Sequence, residues 1–367
     1  MPLPPGSLLE LTPQGLYCPA AAAWIDPWRP VPRALITHAH ADHARPGSGE
    51  YWAIGSSEGI LRQRLGATIH LIPVDYGQPH RIGDARVSFH AAGHVLGSAQ
   101  IRLEAGGESW LVSGDYKRCA DPSCAPFEPV GADVFITEAT FGLPIYRWQG
   151  GAAVAREILD WWQAAPEQPS VLFCYAFGKA QRVLAELAAL GVGQAGRPGA
   201  EGDEILLHGA VQALMEPYRE AGVALPPTRP VGELPRGESL AGRLVIAPPA
   251  AQRAPWMRRF KRPQTAFVSG WMAVRGARRR RGIERGFVLS DHADWPGLLQ
   301  SVRQSGAGQV YVTHGNSDGL ARYLREVEGI CAEPLEGGFS AERGGEDPDG
   351  AEPATPAAET PAATPLA

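Results

Sequence analysis

Three histidines and one aspartate occupy six consecutive positions directly after a short apolar run near the N-terminus. These side chains are His38, His40, Asp42 and His43. The preceding run, Ala34 to Ile36, is typical of a buried strand. At the end of a strand, imidazoles two positions apart can reach one point, while the next carboxylate and imidazole reach a second point nearby. The stretch therefore constrains the fold to one in which a strand ends in a tight loop that holds two adjacent metal ions.

The chemistry of these side chains limits the choice of metal. Imidazole nitrogens and a carboxylate oxygen, without a thiolate, suit Zn²⁺ best, and Mn²⁺ or Fe²⁺ are the alternatives. A polar surface turn that happens to be rich in histidine is the competing interpretation. We favour a metal site because further ligand-type residues follow at the ends of later strands.

His94 and Asp115 are the next candidates for metal ligands. His94 follows a predicted strand and lies between Gly93 and Gly97, where an uncrowded backbone can approach a metal closely. Asp115 comes after the apolar run Trp110 to Val112 and a glycine, a suitable place for a carboxylate that bridges two metals. Both complete the ligand set that begins at His38.

The hydrophobic pattern changes after the predicted strand Val134 to Thr137. Strands and amphipathic helices then alternate up to the predicted strand that begins at Phe287. Alternation of this kind predicts a parallel α/β unit inserted into the first domain. We therefore predict a first domain part over residues 1–145, an insert over 146–285, a second domain part over 286–341 and a tail over 342–367.

Composition narrows the setting in which the chain works. No apolar run approaches the roughly 20 residues of a membrane span, and the N-terminus lacks a secretory pattern, so we expect a cytoplasmic location and no membrane partner. The formal net charge is -5, and six acidic residues and one basic residue lie after residue 341. Since this tail is Pro- and Ala-rich without apolar periodicity, we predict that it is disordered and that the rest of the chain is neutral overall.

The first histidine motif resembles the HxHxDH signature of the metallo-β-lactamase superfamily. An insert placed after Glu138 and before His292, with a further histidine at His314, is similar to the β-CASP branch of that superfamily. The resemblance implies an αββα sandwich with an inserted α/β cap domain, and it is closest to the bacterial ligase-associated DNA exonucleases. Four segments carry this last similarity: 25–28 (IDPW), 114–117 (GDYK), 177–182 (FGKAQR) and 289–295 (LSDHADW).

The resemblance also implies a role for each matching residue. One metal would be bound by His38, His40 and His94, the other by Asp42, His43 and His314, with Asp115 shared between them. The implied catalytic residues are Asp42, which positions the attacking water, His292, which donates to a non-bridging phosphate oxygen or protonates the leaving oxygen, and Glu138, which orients His292. Asp26 would support the metal loop from behind, although an aspartate at this place can also simply cap a turn.

Two basic features are candidates for contact with nucleic acid. The densest basic run of the chain consists of Arg275, Arg278, Arg279, Arg280 and Arg281. A second candidate is the predicted helix start after Gly178, where free N–H groups, Lys179 and Arg182 could hold a phosphate. The alternatives are a solvated loop for the arginines and an ordinary helix start for Lys179.

These observations favour a two-metal phosphodiesterase that hydrolyses DNA, as an exonuclease directed at single strands or ends in DNA repair. An RNase of RNA processing or decay is the alternative, and a metal-free platform that only binds nucleic acid is less favoured because no ligand is missing. DNA is the expected partner, with RNA as the alternative. A DNA ligase or a helicase could be recruited by the acidic tail, and the sequence leaves the oligomeric state open.

Overall fold

A computed structural model describes residues 3–194, 204–235, 237–274 and 284–335. Within these residues the strands form two six-stranded sheets and one seven-stranded sheet, with helices packed against them. The fold is mixed α/β, as the sequence predicts. In the described residues, no helix combines the length and the hydropathy needed to cross a bilayer. The predicted tail, 342–367, lies outside the described residues.

The first sheet is built from the N-terminal strands in their chain order. Its strands are β1 Glu10–Thr12, β2 Gly15–Cys18, β3 Ala23–Ile25, β4 Arg33–Leu35, β5 Glu50–Ile54 and β6 Leu71–Val74. Pairing is antiparallel from β1 to β3 and parallel from β3 to β6. The helix α1, Glu58–Leu65, connects β5 to β6 and occupies the range predicted from the sequence.

The second sheet begins as an antiparallel meander. Its first five strands are β7 Pro79–Ile82, β8 Ala85–Ala91, β9 Ala99–Ala105, β10 Glu108–Val112 and β11 Val134–Glu138. β7 to β10 pair antiparallel, whereas β11 lies parallel to β10. After β11 the chain leaves this sheet.

A third sheet is formed wholly by the strands that follow. They are β12 Ser170–Phe173, β13 Ile205–Leu207, β14 Thr228–Pro230, β15 Leu244–Ala247, β16 Gln264–Val268 and β17 Arg285–Phe287. All pairs are parallel, in the order β14-β13-β15-β12-β16-β17. The helices of this part are α2 Gly151–Gln163, α3 Lys179–Ala189, α4 Gly209–Gln212 and α5 Met215–Glu220.

One helix of this part differs from the sequence prediction. A single helix is expected over 210–221, whereas the structure divides this stretch into α4 and α5. Pro217 provides the physical reason, because its ring clashes with the carbonyl of residue 213 in a continuous helix. The break therefore falls at Ala213 and Leu214.

The chain then returns to the second sheet beside the strand from which it departed. The last elements are the helix α6 Trp295–Ser305, the strand β18 Gln309–Thr313, the helix α7 Ser317–Glu326 and the strand β19 Cys331–Pro334. β18 pairs in parallel with β11, and Glu138 lies opposite Thr313 in this register. β19 completes the edge of the sheet.

The buried side chains show the order of the layers. Leu16 and Ile25 of the first sheet share one apolar cluster with Phe89 and Ile101 of the second sheet, so the two sheets face each other. The outer face of the second sheet packs against α6 and α7 through a separate cluster. The outer face of the first sheet packs against α1, and this cluster continues into α2, α3 and the third sheet.

Candidate metal centre

The loops at the carboxyl ends of several strands converge at one edge of the two facing sheets. The loop after β4 carries the histidine-rich motif, the loop after β8 carries His94, the loop after β10 carries Asp115, and the loop after β18 carries His314. Gly114 has φ of +55°, and a Cβ atom there would lie 2.6 Å from Cβ of Thr37. Only glycine therefore lets the Asp115 loop approach the first histidine loop this closely.

Asp115 lies at the centre of the predicted ligands. Its Oδ2 atom is 3.6 Å from Nε2 of His38, 3.6 Å from Nε2 of His43 and 3.8 Å from Nε2 of His94. His40 joins them, since ligand atoms of His38, His40, His94 and Asp115 all lie within 4.8 Å of one another. The structure thus gathers four side chains that are up to 77 positions apart.

Hydrogen bonds behind two of the imidazoles determine which nitrogen faces Asp115. Nδ1 of His43 lies 2.7 Å from Oδ2 of Asp26, and Nδ1 of His94 lies 2.7 Å from the carbonyl oxygen of Asp291. A carbonyl or an ionised carboxylate only accepts hydrogen bonds, so both Nδ1 atoms carry the proton. Nε2 of His43 and Nε2 of His94 consequently point into the centre, where the neutral form of each ring can bind a metal.

Thr37 extends the same arrangement to His38. Its backbone N–H and its hydroxyl both donate to the Asp26 carboxylate. Its oxygen can therefore accept from Nδ1 of His38, which lies 3.1 Å away. Asp26 has φ of +43°, a left-handed conformation rare for a residue with a side chain, and these contacts hold it there.

Two buried nitrogen atoms at this centre have no hydrogen-bond partner among the described residues. They are Nε2 of His38 and Nε2 of His43. Because buried polar atoms are nearly always hydrogen-bonded, two buried Nε2 atoms that face one carboxylate without such a bond indicate a site for a cation. The nitrogen and oxygen donors fit Zn²⁺, Mn²⁺ or Fe²⁺.

A second group of ligand-type residues adjoins the first through His43. Nε2 of His43 lies 3.4 Å from Oδ2 of Asp42, and its ring stacks on that of His314 with 5.6 Å between centroids. Nδ1 of His314 lies 3.1 Å from the hydroxyl of Thr313, which itself donates to the carbonyl of Thr137. Asp42, His43 and His314 line a small cavity of about 60 Å³.

Burial keeps three of the imidazoles neutral. It lowers the pKa of His38 and of His94 well below the ordinary value, and neighbouring histidines lower the pKa of both further. Burial also lowers the pKa of His314 to about 4. Since a metal binds the neutral imidazole, these shifts favour the ligand form at neutral pH.

His43 and Asp115 shift in the opposite direction. Burial opposes the charged form of His43, but the carboxylates of Asp42, Asp115 and Asp26 together raise the pKa of this imidazole well above its ordinary value. Burial raises the pKa of Asp115 to about 7. A divalent cation that binds here would therefore compete with protons on His43 and Asp115.

His292 and Glu138 form a pair beside this centre. Nδ1 of His292 lies within 3.0 Å of both carboxylate oxygens of Glu138 and 3.9 Å from Oδ2 of Asp115. Burial alone would raise the pKa of Glu138, but His292 and hydrogen bonds, one of them from the N–H of Tyr116, lower it. The side chain of Glu138 is 1% exposed and that of His292 is 21% exposed, so the imidazole reaches the open side of the site.

The structure corrects the expectation for Lys179 and Arg182. Their helix start does follow Gly178, but both side chains are buried rather than extended toward solvent. Lys179 pairs with Asp291 at 2.7 Å, and Arg182 pairs with Asp291 and Asp121. Charges that are buried and paired in this way are not offered to a phosphate on the surface.

The predicted basic run lies outside the described residues. Its members are Arg275, Arg278, Arg279, Arg280 and Arg281. Phe260 nearby is buried in the core of the third sheet, with Trp256 and Trp271 packed against that core. These three aromatic side chains lie near the basic run in the sequence, and their rings pack in or against the core.

Sequence reasoning missed Thr37 and Asp291 as parts of the site. Thr37 links Asp26 to the rings of His38 and His43, and Asp291 accepts from His94 through its backbone. The one signal in the sequence is position, because each residue directly precedes a histidine that is predicted to belong to the site. A threonine or an aspartate does not by itself show which distant residue it will contact.

Comparison with known proteins finds similar proteins whose names describe enzymes that act on nucleic acids. No family model matches it. A protein named probable DNA ligase from Opitutus terrae is 32% identical over 318 residues, which cover 85% of this chain and 30% of that protein. A protein named endoribonuclease ysh1 from Aspergillus fumigatus is 40% identical over 81 residues, 21% of this chain and 9% of that protein. The endoribonuclease YSH1 of Mycosarcoma maydis is 26% identical over 233 residues, 45% of this chain and 26% of that protein.

The chain thus spans less than a third of the length of each of these relatives. Among solved structures, a protein of unknown function from Enterococcus faecalis V583 superposes with a TM-score of 0.55. The superposition covers 84% of this chain and 79% of that protein at 10% identity, so it concerns the fold alone.

Proposed function

We propose that this chain is a metal-dependent nuclease of the β-CASP branch of the metallo-β-lactamase superfamily, and that it hydrolyses DNA. The observation that carries the proposal is the convergence of the predicted ligands around Asp115, which two buried Nε2 atoms face without a hydrogen-bond partner among the described residues. Within this class we propose an exonuclease that acts on single strands or ends during DNA repair.

The architecture supports this assignment. Two facing sheets with α1 on one outer face and α6 and α7 on the other have the layer order of an αββα sandwich. The third sheet consists only of strands between β11 and β18, in keeping with an inserted cap. From the sequence we propose residues 1–145 and 286–341 as the two parts of the sandwich domain and 146–285 as the cap. The strand expected to begin at Phe287 instead ends there, and as β17, Arg285–Phe287, it pairs within the third sheet, so we place the end of the cap at Phe287.

The proposed centre would bind two divalent cations, with Zn²⁺ favoured. His38, His40 and His94 would bind one cation, Asp42, His43 and His314 the other, and Asp115 would lie between them. When bound, such a pair of cations stabilises negative charge on a phosphate group during in-line displacement. Asp26 and Thr37 would hold the first histidine loop in place, as their hydrogen bonds indicate.

The residues of the chain would perform the proton transfers. Glu138, whose pKa is lowered next to His292, stays ionised and accepts a hydrogen bond from Nδ1 of that imidazole. Because Nδ1 of His292 faces Glu138, Nε2 is the atom that would transfer a proton to the departing sugar oxygen. Asp42, at the edge of the centre, would orient the attacking water.

The choice of DNA over RNA is supported by the extent of the similarities. The match to the protein named probable DNA ligase covers 85% of this chain, against 21% and 45% for the two named endoribonucleases. Those endoribonuclease matches favour an RNase as the second candidate. A partnership with a DNA ligase or a helicase stays a prediction from the sequence.

Cleavage of matched oligonucleotides tests the proposal. DNA and RNA of one sequence, each labelled at the 5′ end or the 3′ end, would be incubated with the protein and Mn²⁺ or Zn²⁺. We expect stepwise shortening of single-stranded DNA, with little cleavage of RNA and none after chelation. Cleavage of RNA alone would favour the second candidate, and no cleavage of either polymer with any divalent metal would refute both.

A further inference from the structure

A cluster of charged side chains is buried between α3 and the loops that carry the candidate metal ligands. It contains Lys117, Asp121, Lys179, Arg182, Glu186 and Asp291. The charged groups of Lys117, Asp121 and Arg182 lie on side chains that are no more than 3% exposed. Because such groups lose their hydration, each must be compensated by its neighbours.

Asp291 is the member that α3 holds directly. Its Oδ2 atom lies 2.7 Å from Nζ of Lys179, and its Oδ1 atom lies 3.2 Å from Nη1 of Arg182. Arg182 also donates from the same nitrogen to the carbonyl of Ser290. Both carboxylate oxygens of Asp291 are therefore held by side chains of α3, a helix in the part of the chain that forms the third sheet.

The other side of the cluster encloses His94. Nδ1 of His94 donates to the backbone carbonyl of Asp291 at 2.7 Å, and Nζ of Lys117 donates to the backbone carbonyl of His94 at 3.3 Å. Lys117 is itself paired with Asp121, which Arg182 contacts at 3.3 Å. The side chain and the backbone of His94 are thus both tied to residues that α3 positions.

The start of α3 also touches the metal loops through direct packing. Gly178 has φ of +82°, and a Cβ atom there would lie 2.5 Å from Cγ1 of Val95, the neighbour of His94. The ring of Phe177 lies 4.8 Å from the ring of His40 between centroids. Residues 177–182 therefore pack against the candidate ligand His40 and against Val95, the neighbour of the candidate ligand His94.

Stability of the fold alone does not account for this cluster. Buried ion pairs are often no more stabilising than apolar residues of the same volume, but losing one partner leaves an uncompensated charge. If residues 177–182 packed against the metal loops with only some of these ion pairs formed, buried charges would lack partners, at a high cost in free energy. The cluster therefore favours a single arrangement of α3 relative to these loops.

We infer that Lys179, Arg182 and Asp291 are positioning residues, which hold His94 in its metal-binding orientation and make docking of α3 a condition for tight metal binding. They act through the Asp291 carbonyl, which keeps the proton on Nδ1 and so leaves Nε2 of His94 to the metal. The inference rests on the metal centre of the proposed function.

Metal affinity of single variants tests the inference. Zn²⁺ affinity would be measured by competition with a chromophoric chelator for the unaltered protein, Lys179→Met, Lys179→Arg and the control Arg243→Gln. Arg243 is an ion-pairing residue of the same sheet region, 3.2 Å from Glu204. We expect Lys179→Met to weaken one Zn²⁺ equivalent by about 10-fold or more, a typical effect of losing support behind a ligand.

The coordination spectrum separates positioning from general loosening. With Co²⁺ as probe, the d–d absorption of one equivalent should change in Lys179→Met and be restored in Lys179→Arg, while Arg243→Gln keeps the parental spectrum. A folded Lys179→Met protein with parental Zn²⁺ affinity and Co²⁺ spectrum would overturn the inference. Zn²⁺ binding by the unaltered protein without any nuclease activity would instead defeat the proposed function alone.

If Lys179→Met does not fold, hydrogen exchange of backbone amides in the unaltered protein tests the same inference. Zn²⁺ should slow hydrogen exchange in residues 177–182 by about 10-fold more than in the strand β14 of the same sheet. Equal slowing in both segments would overturn the inference.

Discussion

Nδ1 of His292 lies 2.9 Å and 3.0 Å from the two carboxylate oxygens of Glu138, although 154 positions separate the two residues in the chain. The pairing depends on β11, which ends at Glu138, and on the loop that follows β17. It places an oriented imidazole 3.9 Å from Asp115, close to the candidate metals without being one of the predicted ligands.

Replacing His292 by alanine should therefore separate catalysis from metal binding. We expect turnover on DNA to fall by about 10²- to 10⁴-fold, the usual contribution of a positioned acid or base, while metal content is unchanged. His90→Ala is a matched control, because His90 also pairs with a glutamate, Glu128, at 3.0 Å. Loss of metal together with activity would show that His292 is a ligand or a structural residue.

Asp26→Asn should weaken metal binding without removing a ligand. The amide of asparagine can donate to Nδ1 of His43, which would move the ring proton to Nε2, the nitrogen that faces Asp115. We expect Zn²⁺ affinity to fall by about 10- to 100-fold in a chelator competition. Asp84→Asn, at a side chain that is 91% exposed, is the control, and equal affinities of the two variants would contradict this role of Asp26.

Gly114→Ala should destabilise the protein through the Asp115 loop. The added Cβ atom meets Thr37 at 2.6 Å, so strain of the left-handed backbone and overpacking act together, at about 2 to 5 kcal/mol of unfolding free energy. Gly106→Ala shares the positive φ, at +63°, but meets no atom within 4 Å, and should cost about 1 kcal/mol. Denaturant unfolding measures both, and similar losses would show that contact with Thr37 is unimportant.

Substitutions in the predicted basic run test whether these arginines contact DNA. Replacing Arg278, Arg279, Arg280 and Arg281 by serine should weaken binding of single-stranded DNA and reduce the slope of log affinity against log salt by about 3. Four arginines with side chains 55% to 82% exposed form a matched control: Arg81, Arg86, Arg303 and Arg322. An unchanged slope in the first variant would remove the run from the DNA site.

Local patterns in the sequence predicted much of the secondary structure. Apolar periodicity and flanking residues predict helices over 58–65 and about 317–326 and strands over 205–207 and 244–247. The structure has α1, α7, β13 and β15 at these bounds. The alternation after β11 also correctly indicated a parallel sheet. The prediction of one helix over 210–221 is wrong because Pro217 interrupts the helix.

Contacts between distant segments could not be predicted in this way. Lys179 and Arg182 look like solvent-facing cations in the sequence, since their partners lie far away, Asp291 being 109 positions from Arg182. The hydroxyl of Thr37 and the carbonyl of Asp291 likewise gain their roles only from tertiary contacts. The identities of ligand-type residues can be found in a sequence, whereas the groups that orient them are identified by geometry.

The pairing of β11 with β18 has a consequence for how this protein can be altered. Both ends of the third-sheet region attach to the rest of the chain beside adjoining strands, whose register sets Glu138 opposite Thr313. Insertions or deletions within that region should therefore change its size but leave the register between β11 and β18 unchanged. Chimaeras that exchange the region between homologues should therefore keep Glu138 opposite Thr313, provided that residues 177–182 are exchanged together with a compatible Asp291.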